Sequence, residues 1–236
     1  MTLQAVLNAL LPRRCPGCSG QLRHSAGLCV ACQSALHPQL QSRSPLSEAA
    51  APHLVVLGPY RGVLGRSVKA LKYGGSRELA AILGTQLGSG IPASWGVQAV
   101  TAVPLHPARM NERGFNQAEL LGRQVATRLK LPYLNALSRQ RATGNQAKRH
   151  ASERRNALDD AFLATAGLPE TILLVDDVMT TGSTLLICAN ALRAAGVQQV
   201  YFATVARRVA VVPHFNLPNP TVRRALWGYI RPHDRD

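Results

Sequence analysis

The sequence predicts an α/β fold: a parallel sheet flanked by helices, with a small cysteine-rich module in front of it. Three observations lead there. Between about residues 54 and 206, short apolar runs alternate with stretches of helical period, the pattern of strand–helix–strand units. Four of the five cysteines fall between Cys15 and Cys32, as two C-x2-C pairs. No run reaches the 18 or so apolar residues of a membrane-spanning helix.

The elements follow in chain order. Leu3, Val6, Leu7, Leu10 and Leu11 recur at helical spacing, so the chain opens on an amphipathic helix that Pro12 ends. Gln4 and Asn8 interrupt its apolar face and no basic residue precedes it. It therefore does not read as a signal peptide, and the cytoplasm is the expected compartment. With the cysteines, this helix makes a module over 1–37. Residues 38–53 are rich in Pro, Ser and Ala without an apolar period and read as a linker.

A strand is expected over 54–58, then a helix over 61–73 carrying Val63, Leu64, Val68 and Leu71, and a second helix over 76–88. Residues 98–103 form a strand, 104–114 a polar loop, and 116–130 a helix. Residues 139–156 are nearly devoid of apolar side chains and read as a mobile loop. An apolar strand over 171–175, a helix over 183–195 with Cys188 in the core, and a strand over 199–206 complete a domain spanning 54–210. A basic C-terminal segment, 211–236, follows.

Composition narrows the function. The 236 residues suit one to two domains, and 46% hydrophobic against 17% charged content excludes a disordered, highly charged chain. The net charge of +15 makes polyanions the first partners to consider. Residues 61–160 hold 16 Lys+Arg against 6 Asp+Glu, so the excess belongs to the α/β domain. No G-x4-G-K-[ST], G-x-G-x2-G after a strand, or H-E-x2-H is present, which disfavours an ATPase motor, a dinucleotide dehydrogenase and a zinc protease. Two Trp, five Tyr and four Phe give a single-strand stacking platform little to work with.

Cys15, Cys18, Cys29 and Cys32 aim two short thiolate turns at one point, which suits a tetrahedral zinc ion. Four thiolates close the coordination shell, so the zinc is structural rather than catalytic. A reducing compartment disfavours disulfides between them.

The chemistry concentrates in Leu173-Leu-Val-Asp-Asp-Val-Met-Thr-Thr-Gly-Ser-Thr-Leu185. An apolar strand delivers Asp176 and Asp177 to the carboxyl edge of the sheet, where open α/β sheets bind ligands. Thr180, Thr181, Gly182, Ser183 and Thr184 then bring hydroxyls and backbone N–H groups to a helix start, a cradle for phosphate. Acids beside a phosphate cradle suit a sugar phosphate, whose diol donates to the carboxylates. The competing reading is a capped helix after a buried strand, with Ser183 or Thr181 as the cap. A cap accounts for one hydroxyl but not for two vicinal acids.

This segment resembles the thirteen-residue phosphoribosyl-pyrophosphate (PRPP) motif of type I phosphoribosyltransferases. The resemblance makes Asp176 and Asp177 the ribose-binding and candidate catalytic acids. It places Val178 and Met179, with Thr180 to Thr184, around the ribose and the 5′-phosphate. The four-Cys knuckle, Arg113-Gly-Phe-Asn-Gln117 and Lys72-Tyr73-Gly74-Gly75 are similar to elements of the ComF family, which is linked to natural competence and DNA uptake. In such proteins a PRPP-binding domain follows a zinc module. The resemblance further implies a pyrophosphate loop at Val103, Pro104, Leu105 and His106, with Arg109 and Arg113 as helpers. Guanidinium forks suit phosphate oxygens, while a merely solvated arginine loop is the alternative.

The same resemblance implies that the 139–156 loop closes over PRPP. Thr143, Gln146, Glu153 and Arg154 fit the family pattern, whereas Arg149 and Asn156 depart from it. Its six Lys+Arg suit a nucleic-acid backbone as well.

Two functions follow. One is a phosphoribosyltransferase-like enzyme binding PRPP with Mg²⁺ and exchanging pyrophosphate for a nitrogenous base. The other is a non-catalytic competence factor that uses the same scaffold to bind single-stranded DNA or a DNA-uptake helicase.

Overall fold

The computed structural model describes residues 13–22, 27–139 and 162–208. The expected helix over 3–11, all but the first residue of the 139–156 loop, and the segment 211–236 lie outside these residues.

The described strands are β1 (Gln39–Gln41), β2 (Leu54–Val56), β3 (Ala99–Ala102), β4 (Leu137–Arg139), β5 (Phe162–Ala164), β6 (Thr171–Met179) and β7 (Gln199–Arg207). The helices are α1 (Val30–Ser34), α2 (Gly62–Tyr73), α3 (Glu78–Ser89), α4 (Pro107–Arg113), α5 (Gln117–Leu129) and α6 (Ser183–Ala194). A five-stranded sheet runs in the order β1-β2-β7-β6-β3. Its four strands from β2 to β3 are parallel, and β1 closes the β2 side antiparallel. Strands β4 and β5 form a separate two-stranded ribbon.

The centre of the sheet explains its apolar sequence. Ile172 to Val175 are all buried because helices cover both faces. Leu173, Val175, Ala203 and Val205 pack with α2, α3 and α5. Ile172, Leu174 and Phe202 pack against α6 through Leu185, Cys188, Ala189 and Leu192. On the first face α3 and α5 meet at Gly84, where a Cβ would lie 2.5 Å from Gln124 Cβ and 2.9 Å from the Leu121 carbonyl oxygen.

Three elements differ from the expectation. Residues 39–41, read as linker, are an edge strand whose Leu40 pairs with Val55. The 104–114 loop contains α4. His106 caps that helix, with Nδ1 accepting from the Ala108 N–H at 3.2 Å, Pro107 starts it, and Gly114 at φ +71 ends it. It was invisible to periodicity because none of its residues is buried. Finally, β6 continues past Val175 to Met179, so both acids lie within the strand.

The cysteine knuckle shares the main core. Cys15, Leu28, Cys32 and Leu36 belong to the same buried cluster as Leu64, Leu71, Leu79 and Leu83. On the far side of the sheet, residues 132–134 run along β3. The Val100 N–H donates to the Pro132 carbonyl at 3.0 Å and the Leu134 N–H to the Val100 carbonyl at 2.8 Å.

Candidate PRPP-type site

The two acids are adjacent in a strand, so their side chains leave opposite faces of the sheet. Asp177 lies on the α2 side and is only 3% exposed. Its Oδ1 pairs with Lys72 Nζ at 2.9 Å, while its Oδ2 is buried with no protein donor. Asp176 is half-buried on the α6 side, and its Oδ1 accepts the Asp177 N–H at 2.7 Å. Desolvation, with the neighbouring Asp177 charge, pushes the Asp176 pKa up to about 8; the Asp177 N–H and Lys72 pull it back. Thr204, opposite Asp176 in register on β7, is also buried with an unpartnered hydroxyl oxygen. A polyol is what this acid-lined strand end can accept, because each hydroxyl donates to a carboxylate.

Three residues beyond the strand, α6 begins. Gly182 is its N-cap residue at φ +82 and, being glycine, brings no side chain of its own to cap the helix. The Thr181 and Ser183 hydroxyls meet each other at 2.8 Å, and the Ser183 N–H donates to Thr181 Oγ1 at 3.4 Å. Thr181, one of the caps offered by the competing reading, thus meets the first N–H of α6, and the positive end of the helix lies among these hydroxyls. Thr180, Thr181, Ser183 and Thr184 are exposed around that end. Met179 is buried in the α6-side core and Val178 packs against the other, so these two offer backbone rather than side chains. Pro45 and Leu46 seat on Gly182: a Cβ there would lie 3.3 Å from Pro45 Cγ and 2.9 Å from Leu46 Cδ2.

Residues 103–106 leave β3 at the same sheet edge. The Val103 N–H donates to the Val175 carbonyl at 3.0 Å, and Asn116 Nδ2 donates to the Val103 carbonyl at 3.0 Å. Pro104 and Leu105 are partly exposed, and His106 and Arg109 are exposed. Arg113 lies against Tyr73, with its Nε buried and without a partner among the described residues. Its guanidinium stacks 4.8 Å above the Tyr73 ring, and it donates to the Tyr73 hydroxyl at 3.2 Å and to Gln117 Oε1 at 3.1 Å. Arg77 stacks likewise over Phe115 at 4.7 Å. Sequence reasoning gave Lys72 no role. The available signal was its place beside Val68 and Leu71 on the buried face of α2.

The knuckle residues come together as expected. The four Sγ atoms lie within 4.8 Å of one another, and Cys18 Sγ is 3.6 Å from Cys29 Sγ. Tetrahedral Zn–S bonds of about 2.3 Å place sulfurs about 3.8 Å apart, so the set fits a metal such as zinc. Burial opposes ionisation of Cys15, yet the N–H groups of Cys29, Cys18 and Gly17 outweigh it and hold that thiol at about 6. Burial, helped by contacts with Cys29 and Cys18, pushes the Cys32 thiol up.

Comparisons with known proteins agree with this geometry. Residues 113–212 match the phosphoribosyl transferase domain family. The chain is 33% identical over 190 residues to the DNA utilization protein YhgH of Salmonella typhimurium, covering 75% of this chain and 83% of that protein. The chain belongs to the ComF family. It is also 38% identical over 115 residues to Competence protein F of Haemophilus influenzae, covering 47% of this chain and spanning half of that protein. A match at 30% identity to Competence protein ComFC of Streptococcus pneumoniae covers 44% of this chain and 46% of that protein. This ComF protein thus joins a type I phosphoribosyltransferase-like domain to an N-terminal four-cysteine cluster in a family linked to competence. Among the described residues no helix is long and apolar enough to cross a membrane.

Proposed function

We propose that this ComF protein binds PRPP together with Mg²⁺ at the carboxyl edge of β3 and β6. Its reaction exchanges the anomeric pyrophosphate for a nitrogenous base, or the reverse. The observation that supports this most is the start of α6, where a buried Gly182 is the N-cap residue among four exposed hydroxyl residues, directly after the two acids. The α6 N–H groups and the hydroxyls of Thr180, Thr181, Ser183 and Thr184 hold the 5′-phosphate. The acids accept from the ribose hydroxyls, and residues 103–106 face the pyrophosphate.

In the forward direction the bond from C1′ to the pyrophosphate oxygen breaks, and one from C1′ to the base nitrogen forms. Positive charge builds on the ribose ring between them. The chain's task is to fix both phosphate ends and keep that charge beside carboxylates. Mg²⁺, when bound with PRPP, supplies charge neutralisation of the leaving pyrophosphate. In the same reading zinc fills the knuckle as a structural ion in a cytoplasmic protein, since a reducing compartment disfavours disulfides between the four cysteines.

Titration calorimetry with PRPP and Mg²⁺ is the test, with the Asp176→Ala/Asp177→Ala double variant as control. Saturable heat that the double variant abolishes is the expected result. No heat from the parent, or equal heat from the variant, refutes the reading.

One cluster favours a second role, in handling single-stranded DNA alone or with a DNA-uptake helicase. Tyr73 is 63% exposed and carries Arg113 on its ring, with Arg77 over Phe115 and exposed Arg109 nearby in sequence. Aromatic rings among guanidinium groups suit bases and phosphates together. Fluorescence anisotropy of a labelled oligonucleotide should show binding that weakens steeply with salt and drops in Tyr73→Ala. Binding insensitive to salt or to that substitution rejects it.

A further inference from the structure

We infer that helix α2 is a positioning element that couples the cysteine knuckle to the acid pair, through Arg66 in its second turn and Lys72 in its last. Occupancy of the knuckle thereby sets the affinity of the ligand site. The inference rests on the PRPP reading for the identity of that ligand.

The contacts form an unbroken series. Arg66 donates from both Nε and Nη2 to the Gly17 carbonyl, which lies between Cys15 and Cys18. Gly17 has no slack: a Cβ there would lie 2.9 Å from Cys32 Sγ and 3.0 Å from Val63 Cγ1. A second tie, the Arg13–Glu78 ion pair, fixes the same knuckle to the start of α3. Along α2, Leu64, Ser67, Val68 and Leu71 are buried, with the Ser67 hydroxyl donating to the Val63 carbonyl at 2.8 Å. A helix packed this closely moves as a body rather than bending at each residue.

Six residues beyond Arg66, about 9 Å along the axis at 1.5 Å per residue, Lys72 reaches Asp177. Asp177 depends on it, because its other carboxylate oxygen has no donor. The Asp177 N–H in turn holds Asp176 Oδ1. A shift of α2 therefore moves the ammonium, the buried carboxylate it holds, and the N–H that orients the second acid. Lys72 needs no contact with the ligand to do this; it acts through Asp177.

The test uses the full chain loaded with zinc and three variants: Arg66→Met, Lys72→Gln and the double. Arg66→Met cuts the tie to Gly17 while leaving all four thiolates in place. It should keep one zinc per chain and a cooperative melt, yet bind PRPP/Mg²⁺ more weakly by a factor on the order of 5 to 20, within the usual range for coupled sites. Lys72→Gln should weaken binding at least as much. The double variant should be no weaker than Lys72→Gln alone, because both lie on one series of contacts.

Reciprocity adds a readout on the metal: saturating PRPP should raise the equilibrium zinc affinity, read by competition with a chelator, in the parent and not in Lys72→Gln. Parent-like PRPP affinity in Arg66→Met, or full additivity in the double variant, overturns the inference. If the parent binds no PRPP, the reading of the ligand fails instead, and amide hydrogen exchange then judges the coupling. Arg66→Met must speed exchange at residues 70–73 and 174–177; unchanged protection there refutes it.

Discussion

Replacing Gly182 by alanine tests how tightly the loop over residues 180–184 is held. Two effects add. At φ +82 an L-residue enters the left-handed region, which disfavours it by about 1–2 kcal/mol. The new Cβ also lands 2.9 Å from Leu46 Cδ2 and 3.3 Å from Pro45 Cγ. Ordinary carbon contacts lie at roughly 3.5–4.0 Å, so both neighbours must give way. Leu46 is 4% exposed and packed in the α6-side cluster with Leu54, Val56 and Phe202, so it has little room to turn. Overpacking of this kind costs about 1–3 kcal/mol.

The expected loss is therefore about 2–5 kcal/mol, read from urea unfolding of Gly182→Ala against the parent. A second measurement separates the two effects. In a Leu46→Ala background the clash is relieved, and the same substitution should then cost only about 1–2 kcal/mol. A loss below about 1 kcal/mol in the parent background, or the same loss in both, would show that residues 45–46 do not rest on the loop.

Other consequences are equally direct. Between about pH 4 and pH 8 the folded chain keeps a proton on Asp176 that the unfolded chain has released, because its pKa is raised from 3.8 to about 8. Stability of the ligand-free protein must then fall as pH rises through that window, and urea unfolding of Asp176→Asn should show a flatter pH profile and a more stable protein at pH 8. Cys32→Ser should lose metal and lower a single melting transition, since Cys32 shares its core with Leu79 and Leu83. A separate small transition that leaves the main one in place would contradict that shared core. Gly84→Val should lose at least about 3 kcal/mol by denaturant unfolding, because the Leu121 carbonyl and Gln124 Cβ cannot both retreat. Near-parental stability would mean that α3 and α5 do not touch there.

How much of this was legible in the sequence depends on the range of the forces involved. The Ile172–Val175 run and the helical spacing of Leu64, Val68 and Leu71 are local signals, and both elements stand within a few residues of where periodicity placed them. The hydroxyl-rich stretch from Thr180 to Thr184 likewise marked the start of α6. Helix α4 carries no apolar stripe, although Pro107 at its start and Gly114 at its end were readable stop signs. Strand β1 has three residues, too few for a period, and exists because β2 offers it a ladder.

The acid pair shows the limit most clearly. Its residue types suggest a ligand site, but that the two carboxylates part to opposite faces follows only once β6 is known to run through them. That Asp177 meets Lys72, and Arg66 meets Gly17, depends on how helices and sheet stack, which no local pattern encodes.

The two margins of the sheet have a consequence for how ComF can associate with other chains. Unpaired strand edges are templates for further strands, and thus for aggregation or for partners that add a strand of their own. Here residues 132–134 already run along β3, and the outer side of β1 offers only Gln39, Leu40 and Gln41. A ladder that short gives an incoming strand few backbone bonds. Among the described residues, then, the margins of the five-stranded sheet offer little backbone to an added strand, and recognition at that sheet falls to side chains on its helices and loops.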